Sequence, residues 1–182
     1  MDYRFRKVMD KDQIRLSIER ISAEILEVNQ GVKGLALVGI RTGGAYLAQR
    51  LADLLKKEGG AEIPMGIIDI TLYRDDINNL ESMPQVHSTD FNFDVQDKVI
   101  ILVDDVLYTG RTVRAAIDQI IDFGRPKAIK LAVLIDRGHR EFPIQPDFVG
   151  KSLPSKPNER VEVELTEGGK AEDRVVIGVP QK

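Results

Sequence analysis

Residues 98–112 read Lys98-Val99-Ile100-Ile101-Leu102-Val103-Asp104-Asp105-Val106-Leu107-Tyr108-Thr109-Gly110-Arg111-Thr112, and this run decides the fold. The apolar stretch Val99–Val103 has the composition of a strand buried on both faces. A small polar turn, Thr109 to Thr112, follows two adjacent acids and leads into a helical pattern with Val113, Ile117, Ile120 and Ile121 on one face. A buried strand feeding such a turn is suited to phosphate, because the free N–H groups of the turn and the helix dipole both favour an anion. Asp104 and Asp105 would repel that phosphate and so serve another group. Paired acceptors one turn away suit the vicinal hydroxyls of a ribose. The local reading is a ribose-phosphate site at the carboxyl end of a parallel strand, where open α/β sheets bind ligands; the bland alternative is a βα turn with incidental acids.

A second strand–turn–helix precedes it. Leu35–Ile40 reads as a buried strand, Arg41-Thr42-Gly43-Gly44 as a Gly-rich turn, and Tyr46, Leu47, Leu51, Leu54 and Leu55 as the apolar positions of a helix ending at Gly59-Gly60. Glycine in a tight βα turn is often steric alone; the pairing with the 104–112 turn gives this loop its weight as an anion site. Upstream, Ile14, Ile18, Ile21, Ile25 and Val28 mark an amphipathic helix over 13–28, with Asp12 as its expected N-cap. A third strand is expected over 65–73. The polar stretch from Arg74 to about Asp90 is long enough to be a surface excursion or a lid over substrate, and the lid is the favoured reading. Phe91 and Phe93 suggest an alternating return ribbon. Ala128–Ile135 is another buried strand, ending in the polar cluster Asp136-Arg137-Gly138-His139-Arg140-Glu141. A charge run is usually a solvated face, yet here it adjoins both anion loops and is the natural nucleobase pocket. Pro143, Pro146, Pro154 and Pro157 mark irregular chain; 161–165 and 175–179 read as strands of a small antiparallel hood. The fold class expected is α/β: a central parallel sheet flanked by helices, with that hood, as a single domain over 1–182.

The 182 residues, 42% hydrophobic, can build a sizeable core. No run of 18 apolar residues occurs, and the N-terminus lacks the apolar region of a secretory signal. With no cysteine there are neither disulfides nor thiolate metal sites, and a cytoplasmic protein is expected. A net charge of −3 argues against a wholly basic nucleic-acid binder while leaving room for a local basic patch. No protein metal site is expected, His87 and His139 being isolated.

The 98–112 run resembles the phosphoribosyl-diphosphate motif of the type I phosphoribosyltransferases. The stretches 69–76, 103–116, 124–129, 131–141 and 147–151 together resemble the pyrimidine-operon regulators of bacteria, over nearly the whole chain and least at 1–12 and after about 155. The resemblance implies a uracil phosphoribosyltransferase that makes UMP and also binds uridine nucleotides and pyrimidine-operon leader mRNA, attenuating transcription. It places the ribose hydroxyls on Asp104 and Asp105 and the 5-phosphate on the loop Val106, Leu107, Tyr108, Thr109, Gly110, Arg111 and Thr112. The leaving diphosphate falls to Arg41, Thr42, Gly43 and Gly44, with Arg74 closing from the lid, and the base to Asp136, Arg137, Gly138 and His139. Mg2+ is implied as substrate-bound. The family's diphosphate loop commonly reads Thr-Arg-Gly, so Gly43 is a departure.

For RNA the resemblance points to Arg20, Arg140 and Lys151, on a dimer or dimer of dimers. Glu19 and Glu24 flank Arg20, and Gln145 stands where arginine is common. Two other readings stay open beside the bifunctional one: a UMP-sensing RNA-binding regulator with little catalysis, and an enzyme that has lost RNA binding.

Overall fold

The computed structural model describes residues 2–70 and 91–181. The elements run β1 (Tyr3–Met9), α1 (Lys11–Asn29), β2 (Leu35–Ile40), α2 (Gly43–Gly59), β3 (Met65–Ile68), β4 (Val99–Leu107), α3 (Arg111–Asp122), β5 (Ala128–Asp136), β6 (Phe148–Ser152), β7 (Arg160–Glu164) and β8 (Arg174–Pro180). Five strands form one sheet in the order β3-β2-β4-β5-β6, every neighbour parallel. The other three form the antiparallel sheet β1-β8-β7. This is the expected architecture.

Alternation along the parallel strands divides the core in two. Leu35, Leu37, Ile101, Val103, Ala132 and Leu134 face α1, α2 and the hood. Ala36, Val38, Ile100, Leu102, Leu131 and Val133 face α3. Strands buried on both faces must be apolar throughout, and β2 is buried at every position. Each fully buried Ile or Leu contributes about 1.5–3 kcal/mol, so the central strands set the sheet's register.

Several boundaries differ from the sequence expectation. Asp10, not Asp12, caps α1: its side chain accepts from the Gln13 N–H while the Gln13 side chain accepts from the Asp10 N–H. β4 does not stop at Val103 but carries the ladder through both acids to Leu107. Residues 91–93 form no strand; Phe91 instead packs against Phe93 and Phe123 at centroid distances of 5.5 and 4.5 Å. Ile121, expected on the buried face of α3, is 55% exposed. The proline-rich stretch holds a strand, β6, that pairs along the β5 edge. β1 was not expected at all. β3 is described to Ile68, and the expected lid over 74–90, Arg74 included, lies outside the described residues.

Candidate functional site

The chain leaves β2 for β3 on one side of the sheet and β4 for β5 and β6 on the other, so the direction of winding reverses between β2 and β4. Loops leaving neighbouring strands at such a point diverge and open a crevice beyond their carboxyl ends. The loops here are 41–44 after β2 and 108–110 after β4, and each opens a helix.

Both helix starts are built differently from that of α1. Thr42 at the start of α2 and Gly110 at the start of α3 give no side-chain cap, and neither helix has an acid in its first turn. Helix N-termini leave N–H groups without intrahelical partners, and a first turn free of carboxylates keeps its positive potential available. The Arg41–Thr42 peptide is cis. Gly44 lets α2 press onto β4: a Cβ there would run into the Val103 carbonyl oxygen, closer than side chains tolerate.

Among the described residues, three cavities line this edge. One, of about 410 Å³, is walled by Asp104, Leu107, Tyr108, Thr109, Arg111 and Thr112, with Val106, Gly110 and Glu141 beside them. A second, of about 350 Å³, lies between Arg41, Thr42 and Gly43 on one side and Asp104, Asp105 and Thr112 on the other. The third, of about 380 Å³, is formed by Asp136, Arg137, Gly138 and His139 with Ser152, Pro154 and Ser155. Asp104, Val106 and Thr112 border both of the first two cavities, which places the acid between the 41–44 and 108–110 loops.

The two acids differ. Asp104 is 6% exposed and its Oδ1 accepts from the Asp105 N–H at 2.9 Å. Asp105 turns toward the 41–44 loop, its Oδ1 accepting from the Val106 N–H at 2.8 Å and its carboxyl lying over Gly43. Burial pushes the Asp105 carboxyl up from its ordinary value, against the opposing pull of the Asp104 side chain and the Val106 N–H. Arg111 Nε donates to Glu141 Oε2 at 2.7 Å, and its guanidinium lies 5.3 Å from the Phe142 ring centroid. The N–H groups of Glu141 and Phe142 both donate to the Thr109 carbonyl, tying the two loops together.

Around the third cavity the charged side chains hold backbone. Arg137 is buried; it donates to Ser155 Oγ and to the carbonyls of Lys156 and Glu159, and its guanidinium stacks 4.2 Å from the Tyr108 centroid. Burial pulls this guanidinium down from its ordinary value. The His139 Nε2 bonds the Ser155 carbonyl, and Asp136 accepts from the Gly138 N–H and pairs with Arg140. Arg140 also donates to the carbonyls of Tyr108 and Ile144. Arg20 donates to the Val149 and Gly150 carbonyls and pairs with Glu24, while Lys151 donates to the Val8 carbonyl.

Sequence reasoning did not single out Glu141, Ser152, Pro154 or Ser155 as site residues. Glu141 lay in the quoted polar cluster; the others sit among prolines, where no periodicity marks β6. No group of three His, Cys, Asp or Glu residues that could hold a metal occurs among the described residues, and none of their helices is long and apolar enough to cross a membrane.

A parallel sheet with a helix-opening loop on each side of its winding reversal and an acid between them is joined by a family match that defines the class: the phosphoribosyl transferase domain family matches residues 7–167. Hypoxanthine phosphoribosyltransferase of Trypanosoma cruzi shares the fold with a TM-score of 0.72 at 18% identity, covering 97% of each chain. A hypoxanthine-guanine phosphoribosyltransferase of Bacillus anthracis gives 0.69 at 16%, covering 98% of this chain and 100% of that one. Nearer in sequence, the bifunctional protein PyrR of Pelotomaculum thermopropionicum is 56% identical over 171 residues, 94% of either chain. Bifunctional protein PyrR of Caldicellulosiruptor bescii is 52% identical over 174 residues, 96% of this chain and 95% of that one. The chain belongs to the phosphoribosyl transferase family and, within it, to the bifunctional PyrR proteins.

Proposed function

We infer that this protein transfers the phosphoribosyl group of phosphoribosyl diphosphate to uracil, releasing UMP and diphosphate, and that it regulates pyrimidine-operon expression by binding leader mRNA in a uridine-nucleotide-dependent way. The observation that supports the first half is the pair of helix starts on either side of Asp104, neither capped by its own N-cap side chain, although the Thr109 hydroxyl accepts from the Arg111 N–H at 3.3 Å. A substrate with a 5-phosphate at one end and a diphosphate at the other needs two anion sites with a hydroxyl acceptor between them.

In the reaction uracil N1 displaces diphosphate from ribose C1. The sugar gains positive charge as the bond breaks, as in glycoside hydrolysis. Catalysis is then positioning and electrostatics. Asp104 and Asp105 orient the ribose hydroxyls and offset the growing charge. The 106–112 loop holds the 5-phosphate through N–H groups of the α3 start, with the Arg111 cation nearby. Arg41 and the N–H groups of Thr42, Gly43 and Gly44 stabilise the departing diphosphate, and Arg74 closes on it. The base sits against Asp136, Arg137, Gly138 and His139, which offer backbone groups because the side chains of Asp136, Arg137 and His139 are committed to the surrounding loops. Magnesium belongs to the substrate, riding on diphosphate oxygens with several of its waters, as that ion prefers. A cytoplasmic single-domain protein acting as a dimer or tetramer completes the proposal.

A second reading, a nucleotide-sensing RNA regulator with little catalysis, draws on Gly43: it removes an arginine from the diphosphate loop and leaves Asp105 resting there. The Asp104→Asn/Asp105→Asn double variant tests the site. UMP formation from uracil should fall by at least 10³-fold, in line with losing transition-state charge stabilisation; near-normal turnover would refute the ribose assignment. A uracil assay and a leader-RNA gel shift with and without UMP, on one preparation, separate the bifunctional reading from its alternatives.

A further inference from the structure

Strand β1 reads Tyr3-Arg4-Phe5-Arg6-Lys7, three cations and two aromatics in five residues of a chain whose net charge is −3. It is an outer strand of the hood sheet, and Arg4, Phe5, Arg6 and Lys7 are all exposed. An outer strand often carries Lys and Arg to discourage pairing with another chain. That purpose does not call for exposed aromatics between them.

The aromatics form a surface. Tyr3 and Phe5 share a face, their centroids 6.2 Å apart. They lie against Gly178 on β8, where a Cβ would come 2.8 Å from Phe5 Cε1 and 3.2 Å from Tyr3 Cδ1, so the missing side chain is what lets the rings lie down on the sheet. Phe5 is still 46% open to solvent. The Phe5 register crosses Gly178 to Arg160 on β7, whose side chain is 64% exposed. Lys7 stands on the same face. Arg4 and Arg6 project from the other side of the strand, and their side chains make no ion pair or hydrogen bond among the described residues. By contrast Arg20, Arg140 and Lys151 are held on backbone carbonyls of their own chain. Lys151 holds the Val8 carbonyl, which brings the end of β1 beside that basic region.

We propose that the outer face and edge of β1 are a contact surface for single-stranded RNA, with bases stacking on Tyr3 and Phe5 and phosphates neutralised by Arg4 and Arg6. The proposal rests on the RNA-binding half of the reading above. A sheet bearing exposed aromatics flanked by cations is how single strands are held: every base has a face to stack, and the phosphates supply most of the affinity.

The test measures a fluorescein-labelled, unstructured 20-nucleotide RNA by anisotropy against the full-length parent, Tyr3→Ala/Phe5→Ala and Arg4→Gln/Arg6→Gln, with uracil transfer and sedimentation followed for each. The aromatic pair should weaken binding about tenfold or more. The arginine pair should flatten the salt dependence by about 1.4 in log–log slope, roughly 0.7 per phosphate. Both should keep parental transfer rates. Exposed arginines tolerate glutamine, so the second variant stays informative if the first folds poorly. Unchanged RNA affinity and salt slope would overturn the proposal, as would a lower oligomeric mass in the variants, which would mean that a second copy covers this face. A parent that binds pyrimidine-operon leader RNA but loses nothing in either variant sinks this surface alone. A parent that binds neither RNA sinks the regulatory reading with it and leaves the transfer reading intact.

Discussion

The Asp105 carboxyl occupies the space that a side chain at Gly43 would fill: a Cβ on Gly43 would stand 2.6 Å from the Asp105 Cγ. The 41–44 loop and the second acid are therefore sterically coupled, and Gly43 leaves the room in which Asp105 rests. In Gly43→Ala the carboxyl has to leave. Its raised pKa comes first from burial, so moving it into solvent should lower the value toward the ordinary carboxylate range, readable by carboxyl carbon NMR titration. Displacement of an orienting acid by about 1 Å can cost on the order of 10²-fold in rate, and we expect a 10- to 100-fold loss carried by kcat. Stability should change by less than ~1 kcal/mol, because alanine is the better helix former at an α2 position. An unmoved Asp105 titration with unchanged kcat would show that the coupling is harmless.

Arg137 should control the base and not the sugar. Its planar guanidinium reaches the Ser155 hydroxyl and the carbonyls of Lys156 and Glu159 while stacking on Tyr108. Lysine carries the charge but lacks the fork and the flat face. Arg137→Lys should leave carbonyls of the 155–159 segment unbonded and loosen the wall holding Ser155. We expect the KM for uracil to rise about tenfold while the KM for phosphoribosyl diphosphate stays within about twofold, with ~2 kcal/mol of stability lost from unsatisfied buried groups. Steady-state kinetics with each substrate varied in turn make the distinction.

Arg50 joins α2 to the hood. From α2 it donates Nε and Nη2 to the two Glu167 oxygens at 2.7 and 2.6 Å, and Nη1 to Asp173 Oδ2 at 2.5 Å. Bonding to Arg50 holds both carboxyls below their ordinary range, and these bonds raise Arg50 in turn. For carboxyls depressed by folding, the stabilisation is complete above their unfolded values near 4 and disappears as pH falls through the lower folded ones. Stability should therefore decline below about pH 4, and Arg50→Ala should remove that part of the decline. Glu167 is 38% exposed in its side chain, so solvent screening limits the neutral-pH cost to about 1–2 kcal/mol. Urea titrations of parent and variant across pH 3–7 read both effects.

What could be read from the sequence follows burial. β2 and the first half of β4 are apolar at consecutive positions because both faces are covered, so they are visible without any partner. The paired acids and the two Gly-bearing turns are equally plain, since each departs from what a bare βα turn needs. β6 escaped notice because it is an edge strand in which only Phe148 is buried. β1 escaped because pairing with β8, not an apolar face, makes it a strand. The candidate site was readable as a set of loops, but not the contacts within it. That Asp105 leans on Gly43, and that Arg137 and His139 both clasp Ser155, are long-range contacts with no local sequence signal.

The start of α1 gives a stability test in which the two acids trade places. Asp12 looks like the cap by position before Gln13, yet Asp10 makes the reciprocal pair with Gln13 at 2.9 and 3.0 Å. Asp12 lies inside the first turn, facing Arg15 at 3.8 Å. Losing a capping side chain costs ~1 kcal/mol, whereas an exposed first-turn acid contributes about 0.3–0.5 kcal/mol through the helix dipole. For a chain of this size each kcal/mol is worth roughly 2–4 °C. Asp10→Ala should lower Tm by about 2–4 °C, and Asp12→Ala by no more than about 2 °C. Salt separates the causes: 1 M NaCl should screen most of the Asp12 effect and leave the hydrogen-bonded Asp10 effect largely in place. Equal shifts for the two variants at both salt concentrations would mean that neither side chain holds the cap.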